Sequence, residues 1–410
     1  MSGPTPAPSS PRASVWRAPG MPALVGLTFF GFAGYAVLLP LVPLWVVRGG
    51  AGPAGAGLVN GVMLAATVAA QSGVPAALRR FGWGPVMAVG VVLLGLPSLA
   101  HLFSDALAWV LVLAAVRGVG FAVLTVTGAA AAAHLVDPSR RGAAIGTYGL
   151  AVALPNLTFL PFGPIIAEHV GWPIVFAIGA LPVLAVPVAL RLARHLPDER
   201  ATTSEHVVDV GPVSGEAAAG PSLVRALLPS AVLLLAVTLA GGALITFAPQ
   251  LVADPFSATA ALVGMGLAAA VSRWLVGGLA DRLGPGRYVW PASVLTVLCL
   301  VGFALTLGIP TWSLIDGPGW IALWVILATL LGVAYGALQN LTYVLTLDAA
   351  GPRRISTASA VWNIGFDAGT ALGSVLVGAI AAGAGFGWAF LVAAGACALT
   401  LPLALRARHS

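Results

Sequence analysis

Apolar runs of about twenty or more residues alternate with short polar breaks along almost the whole of this chain. Coiled as helices, runs of that length match the roughly 30 Å hydrocarbon core of a bilayer. The pattern predicts twelve membrane-spanning helices, near 22–47, 56–77, 84–103, 107–134, 142–167, 172–193, 223–249, 257–280, 288–308, 318–347, 355–382 and 386–405. The longest polar stretch, 194–222, is rich in Asp, Glu, Ser, Thr and Gly and reads as a flexible linker. The expected architecture is an all-α membrane protein. It has a disordered tail (1–21), a six-helix bundle (22–193), the linker (194–222), a second six-helix bundle (223–405) and a short tail (406–410).

Charge then orients the chain. Sixteen of the nineteen arginines sit in alternate breaks or in the tails. Those breaks hold Arg79 and Arg80; Arg140 and Arg141; Arg191, Arg194, Arg200 and Arg225; Arg282 and Arg287; and Arg353 and Arg354. The intervening breaks hold only Arg48. Basic loops stay on the inner side of a membrane, so both termini are expected in the cytoplasm of a multi-pass plasma (inner) membrane protein. The basic tail followed by an apolar run resembles a signal peptide, but 22–47 is too long for one and is read as a retained span.

Composition narrows the class. The chain is 59% hydrophobic and 8% charged, with a mean hydropathy of +0.99; soluble domains carry about 25% charged residues. The net charge of +6 therefore reads as topology, not as a nucleic-acid footprint. Every basic residue is Arg. Without lysine there is no Walker A ATPase and no Schiff-base chemistry. No H-E-x-x-H, C-x-x-C or close pair of carboxylates occurs in a span, and the six histidines form no metal set. His134, at the inner end of the fourth span, reads as an interfacial anchor. Cys299 and Cys397 lie within apolar runs as small hydrophobes. An enzyme is not expected, nor any cofactor beyond a proton gradient. The expected partners are the bilayer, protons and a small-molecule substrate, and the chain is expected to act as a monomer.

The two halves look related. Arg140-Arg141 opens the fifth span and Gly171-Trp172 follows it; Arg353-Arg354 opens the eleventh and Gly387-Trp388 follows it. Gly118–Gly120 in the fourth span matches Gly332 onwards in the tenth. Shared order of this kind marks an internal repeat.

One loop is more specific. Gly277-Gly278-Leu279-Ala280-Asp281-Arg282-Leu283-Gly284-Pro285-Gly286-Arg287 lies between the eighth and ninth spans. It resembles the G-x-L-A-D-R-x-G-x-(K/R) signature of the major facilitator superfamily of secondary transporters, and the similarity of layout extends over nearly the whole chain. Its glycines allow close helix approach and a sharp turn. The resemblance implies that Asp281 meets the start of the fifth span, around Gly142, and latches the halves while the cavity faces outward. A carboxylate suits the partial positive charge of a helix N-terminus. In the equivalent loop after the second span, Arg79 stands at the Asp position. Arg117-Gly118-Val119-Gly120 resembles a family element linked to proton coupling. Phe162-Gly163-Pro164 resembles the end of the antiporter motif. Leu150 and Phe159 replace its upstream glycines, and Ile166 and Ala167 most of its trailing element, so Pro155 and Pro161 are expected to supply the bend.

Three ionisable residues lie well inside spans: Arg117, Arg273 and Asp367. Each costs about 2.5–3.5 kcal/mol at a helix centre, so each needs a reason. Asp367 lies near the midplane, where a carboxyl can be filled and emptied by protons from alternate sides; it is the leading coupling residue. Arg117 is expected to bind an anionic substrate, to pair with Asp367, or to tie helices through backbone carbonyls. Arg273 shares a face with Gly277 and Asp281 and groups with the gate. Tyr335 and Gln339 share a face of the tenth span, with Asn340 beside them. These three, together with Trp362 and Asn363 near Asp367 and Tyr35 on the first span, are cavity candidates. Phe29, Phe32 and Tyr35 are expected either to form an aromatic wall or to pack against lipid or in the core. Asn60, Gln71, Asn156 and Gln250 are expected to make interhelical hydrogen bonds.

The leading functional expectation is a proton-coupled exporter of small amphipathic compounds, working by alternating access. The alternative is symport or uniport uptake of a small organic anion. A reading from another class, a receptor or scaffold that does not transport, would rest on 194–222.

Overall fold

The computed structural model describes residues 15–136, 141–197, 221–252, 254–307, 319–351 and 355–407; side chains at some further positions, Asp281 and Arg282 among them, lie outside that description. Twelve helical stretches in it are long and apolar enough to cross a membrane. The first half comprises α1 (Met21–Arg48), α2 (Pro53–Gln71), α3 (Val74–Phe81), α4 (Trp83–Ala100), α5 (Leu107–His134), α6 (Arg141–His169), α7 (Trp172–Gly179) and α8 (Val186–Ala193). The second comprises α9 (Pro221–Leu251), α10 (Pro255–Leu283), α11 (Gly286–Thr306), α12 (Gly319–Ala350), α13 (Ile355–Ala384), α14 (Phe386–Ala398) and α15 (Leu401–Arg406). Short helices pair to complete a span: α7 and α8 make the sixth, α14 and α15 the twelfth. The second span stops earlier than its apolar pattern predicts, at Gln71, and α3 resumes after Ser72 and Gly73. Much of the 194–222 linker, the outer parts of both tails and Arg140, Arg353 and Arg354 lie outside the described residues.

Prolines at the first helical turn open many of these elements, where their missing N–H costs nothing. Pro53 and Pro255 begin α2 and α10, and counting from them aligns the halves. Met63 then matches Met265. Gly118 of α5 packs on the Met63 carbonyl, and Gly332 of α12 packs on the Met265 carbonyl. The repeat holds at the turns as well. Gly171 and Gly385 both take positive φ, 111° and 86°, immediately before α7 and α14. The conformational partner of Gly171 is therefore Gly385, two residues before the Gly387 that sequence likeness suggested.

The halves meet along two seams, α2 on α13 and α6 on α10, with α1 against α9 between them. Contacts across this interface concentrate at the end of the bundle away from the termini. An added Cβ at Gly57 would overlap the Ser374 carbonyl, and Gly378 lies against the Pro53 carbonyl. Asn60 Nδ2 donates to the Leu39 carbonyl of α1 and to Thr246 Oγ1 of α9, both at 2.9 Å; Thr246 in turn bonds Ser374 of α13 at 2.7 Å. Buried polar groups in lipid need such partners, so four helices from both halves are pinned together here. On the other seam the His169 ring meets Phe256 edge-on at 5.3 Å. Toward the termini, α3 packs on α4 and α5 of its own half.

This arrangement hides two helices from lipid. The most apolar stretches of α1 and α9 are 78% and 83% buried, whereas that of α10 is 22% buried.

Candidate functional site

Asp367 sits where the α2–α13 seam begins to open. It is buried, and its Oδ2 accepts a 3.1 Å hydrogen bond from Gln71 Nε2 at the end of α2. On the same face of α13, one turn nearer the termini, Asn363 is exposed; farther up that face Ser374 is fully buried. The carboxyl thus bridges the halves at the last buried turn before the interior opens. No cation lies within ion-pair distance of it among the described residues.

Arg117 is not brought to Asp367. Its Nε donates to the Leu94 carbonyl of α4 at 3.2 Å and its Nη2 to the Gly34 carbonyl of α1 at 3.3 Å. The side chain is 2% exposed. Among the roles expected for Arg117, the structure shows the helix tie. A planar guanidinium suits it, because its donors diverge in one plane and reach two helices at once.

Two aromatic arrays flank the interior. In the first half Tyr35 stacks on Phe121 with centroids 3.9 Å apart, and Phe32 meets both edge-on. Phe29 turns instead to Phe159 of α6. In the second half Tyr335, Phe366, Trp362 and Tyr343 follow one another at centroid distances of 6.2, 5.6 and 5.4 Å. Trp362 Nε1 donates to Thr342, and the Tyr343 hydroxyl bonds Ser359. Phe366 of the second array is the chain neighbour of Asp367, so that array lies beside the carboxyl.

The other candidates are placed as follows. Gln339 is buried beside Tyr335 on α12. Asn340 lies opposite Gly277 of α10, and its Oδ1 is buried without a hydrogen-bond partner among the described residues. Arg273 is exposed. Gly284 takes φ +85°, the left-handed turn that its motif requires, and Arg287 is exposed. The proposed contact of Asp281 with the start of α6 lies outside the described side chains. Helix α6 runs unbroken through Pro155, Pro161 and Pro164, each of which removes one backbone donor. Gly163 faces Leu41 and the Val37 carbonyl of α1.

Some amides differ from expectation. Asn60 and Gln71 bond across helices, but Asn156, Gln250 and Asn363 donate to their own i−4 carbonyls. That carbonyl is always within reach on a helix and needs no neighbour. Sequence reasoning missed Phe121, Phe366, Thr246 and Ser374, which read as ordinary apolar or small residues. It also passed over His101, which is fully buried and stacked on Phe176 at 5.1 Å.

Two pseudo-symmetric six-helix bundles around a central interior, with a carboxyl on the seam, define a secondary transporter. The family comparison agrees: residues 24–323 match the Major Facilitator Superfamily, and the chain belongs to it. Solved structures share the fold at low identity. A mutant of the nucleoside transporter NupG superposes with a TM-score of 0.72 at 14% identity, covering 95% of this chain and 99% of that one. A bacterial homologue of the human lysosomal transporter Spinster matches in two inward-facing forms. The occupied form has a TM-score of 0.74 at 16% identity, covering 97% and 98% of the two chains. The unoccupied form has 0.70 at 15%, covering 98% of each. Curated proteins give no match. The chain is therefore a multi-pass secondary transporter of small molecules and not an enzyme.

Proposed function

We propose that this transporter is proton-coupled, with Asp367 as the coupling carboxyl, and that it exports small amphipathic compounds by antiport. One observation carries the reading: the hydrogen bond from Gln71 to Asp367 joins the two halves at the point where their seam opens. An ionised carboxylate buried there would lack a counter-charge, so ionisation and opening of the seam to water go together. A proton can thereby bias which way the bundles rock. The basic breaks support cytoplasmic termini. With that orientation, the closed end is the outer one and the structure is inward-facing. Two of the fold neighbours are described as inward-facing too.

The aromatic arrays suit an apolar or amphipathic body. Symport of an organic anion is the second reading, favoured by the exposed Arg273. Proteoliposomes with an imposed proton gradient and an internal pH probe separate the two. Cationic, neutral and anionic amphiphiles are added in turn. Antiport moves protons against the compound, symport with it. Asp367→Asn should abolish proton-driven transport while sparing substrate binding. Undiminished proton-driven transport in that variant would retire Asp367 from the role.

A further inference from the structure

Arg273 and Gln71 are repeat partners. Each lies the same distance along its helix from the opening proline, Pro255 or Pro53, with Met265 and Met63 in register between. Both helices face a helix of the opposite half, α6 and α13 respectively. Gln71 there meets a carboxylate that the protein supplies, Asp367. Counting along α6 as along α13 brings Ala153 to the Asp367 position. The more strongly charged donor has thus been placed where no carboxylate answers it among the described residues.

The side chain points inward. An apolar groove lined by Leu267, Ala268, Val271 and Leu275, with Thr329 and Val333 of α12, marks the outward face of α10. At about 100° per residue, Arg273 lies about 200° round the helix from both Val271 and Leu275. Gly266, on the same inward side, meets Leu157 of α6. Ala269 and Gly277, one turn to either side of Arg273, meet Gly336 and Asn340 of α12, so Arg273 is exposed to the interior between α6 and α12.

We propose that Arg273 binds an oxyanion carried by the transported molecule, a carboxylate, sulfonate or phosphate on an apolar body. The guanidinium fork matches such a group with two parallel hydrogen bonds. The Tyr335–Phe366–Trp362 array offers the apolar body its surface. Arg117 cannot take this role in the same state, because it is buried on carbonyls. The inference rests on the transport reading above but not on proton coupling, so equilibrium binding tests it separately. A free organic acid and a lipid headgroup share this chemistry, and the probes distinguish them.

The experiment is calorimetric titration of the purified full-length protein in an uncharged detergent. The probes are 2-naphthoate, 2-naphthol, 2-naphthylmethylammonium and lysophosphatidate. Wild type should bind 2-naphthoate at least tenfold more tightly than the neutral and cationic analogues, with affinity falling as salt rises. Arg273→Gln should lose that preference tenfold or more while its 2-naphthol affinity stays put. Arg273→Lys should keep part of the preference, which a structural role would not predict. Matching thermal unfolding midpoints of the three proteins would show that the variants fold. If lysophosphatidate alone shows the Arg273 dependence, the oxyanion belongs to a lipid. Equal 2-naphthoate affinity in wild type and Arg273→Gln overturns the proposal, as does failure of both anions to bind wild type.

Discussion

The two seams between the bundles are related by the repeat but are built differently. On the α2–α13 seam, backbone meets backbone: Gly57 lies on the Ser374 carbonyl and Gly378 on that of Pro53. Polar groups reinforce it through Asn60, Thr246 and Ser374, and Asp367 terminates it. On the α6–α10 seam the contacts named are side-chain tips, Leu157 on Gly266 and His169 on Phe256. The repeat gives the halves one scaffold, and under the proposed coupling the close-packed seam is where a titratable group responds as the halves part. The looser seam leaves its own charged residue, Arg273, to the interior.

The largest test of that contrast is steric. Gly57→Leu would drive a side chain into the Ser374 backbone, which cannot yield, so the far end should fail to close and transport should fall at least tenfold. Gly266→Leu meets only the Leu157 side-chain tip, at 3.1 Å from an added Cβ, and should retain most activity. Transport rates of the two variants, normalised to folded protein, decide it; equal losses would erase the distinction. A smaller effect is expected from Asn60→Leu. It removes donors to Leu39 and Thr246 at a cost of about 1–3 kcal/mol, read as a lower unfolding midpoint. The matching position on α10 is already Leu262, so this variant makes the first seam resemble the second.

Gln71→Leu should leave transport intact but move its pH profile, because Asp367 loses the hydrogen bond from the Gln71 amide. An unaltered profile would mean that the amide does not influence the proton. The smallest effect belongs to Asp254, which caps α10 at the start of the looser seam. The Ser257 hydroxyl, with the amides of Ser257 and Phe256, holds its carboxyl below the usual carboxylate range. The folded group is thus the stronger acid. Its contribution is complete above the unfolded range and is lost as pH falls through the folded one. Asp254→Ala should therefore melt slightly earlier than wild type at neutral pH, with the gap closing in strong acid.

The spans, their number and the repeat were legible because hydropathy and turn glycines are local properties of a chain. Asp367 was legible for a related reason: an acid in an apolar run is anomalous wherever it later packs. Its partner Gln71 was not, since the pair is formed by folding between residues in different halves. Nor did depth along a helix reveal which way a side chain points. Arg117 and Arg273 look alike in sequence, yet one is spent on two carbonyls and the other is open to the interior. Thr246 and Ser374 escaped notice because small hydroxyl residues in a span usually bond their own helix, as Ser374 also does to Thr370.

The seclusion of α1 and α9 bears on how the molecule is made. Their mean hydropathies, 1.9 and 2.3, exceed the 1.5 of α10, although α10 is far less buried by the rest of the protein. In the finished fold that greasiness solvates nothing. During synthesis α1 enters the bilayer before the helices that later wrap it, and α9 enters as the leading helix of its half. Each must partition on its own composition before the later helices wrap it. Polar substitutions on these two helices should therefore reduce the yield of inserted protein even at positions where the assembled transporter has room for them.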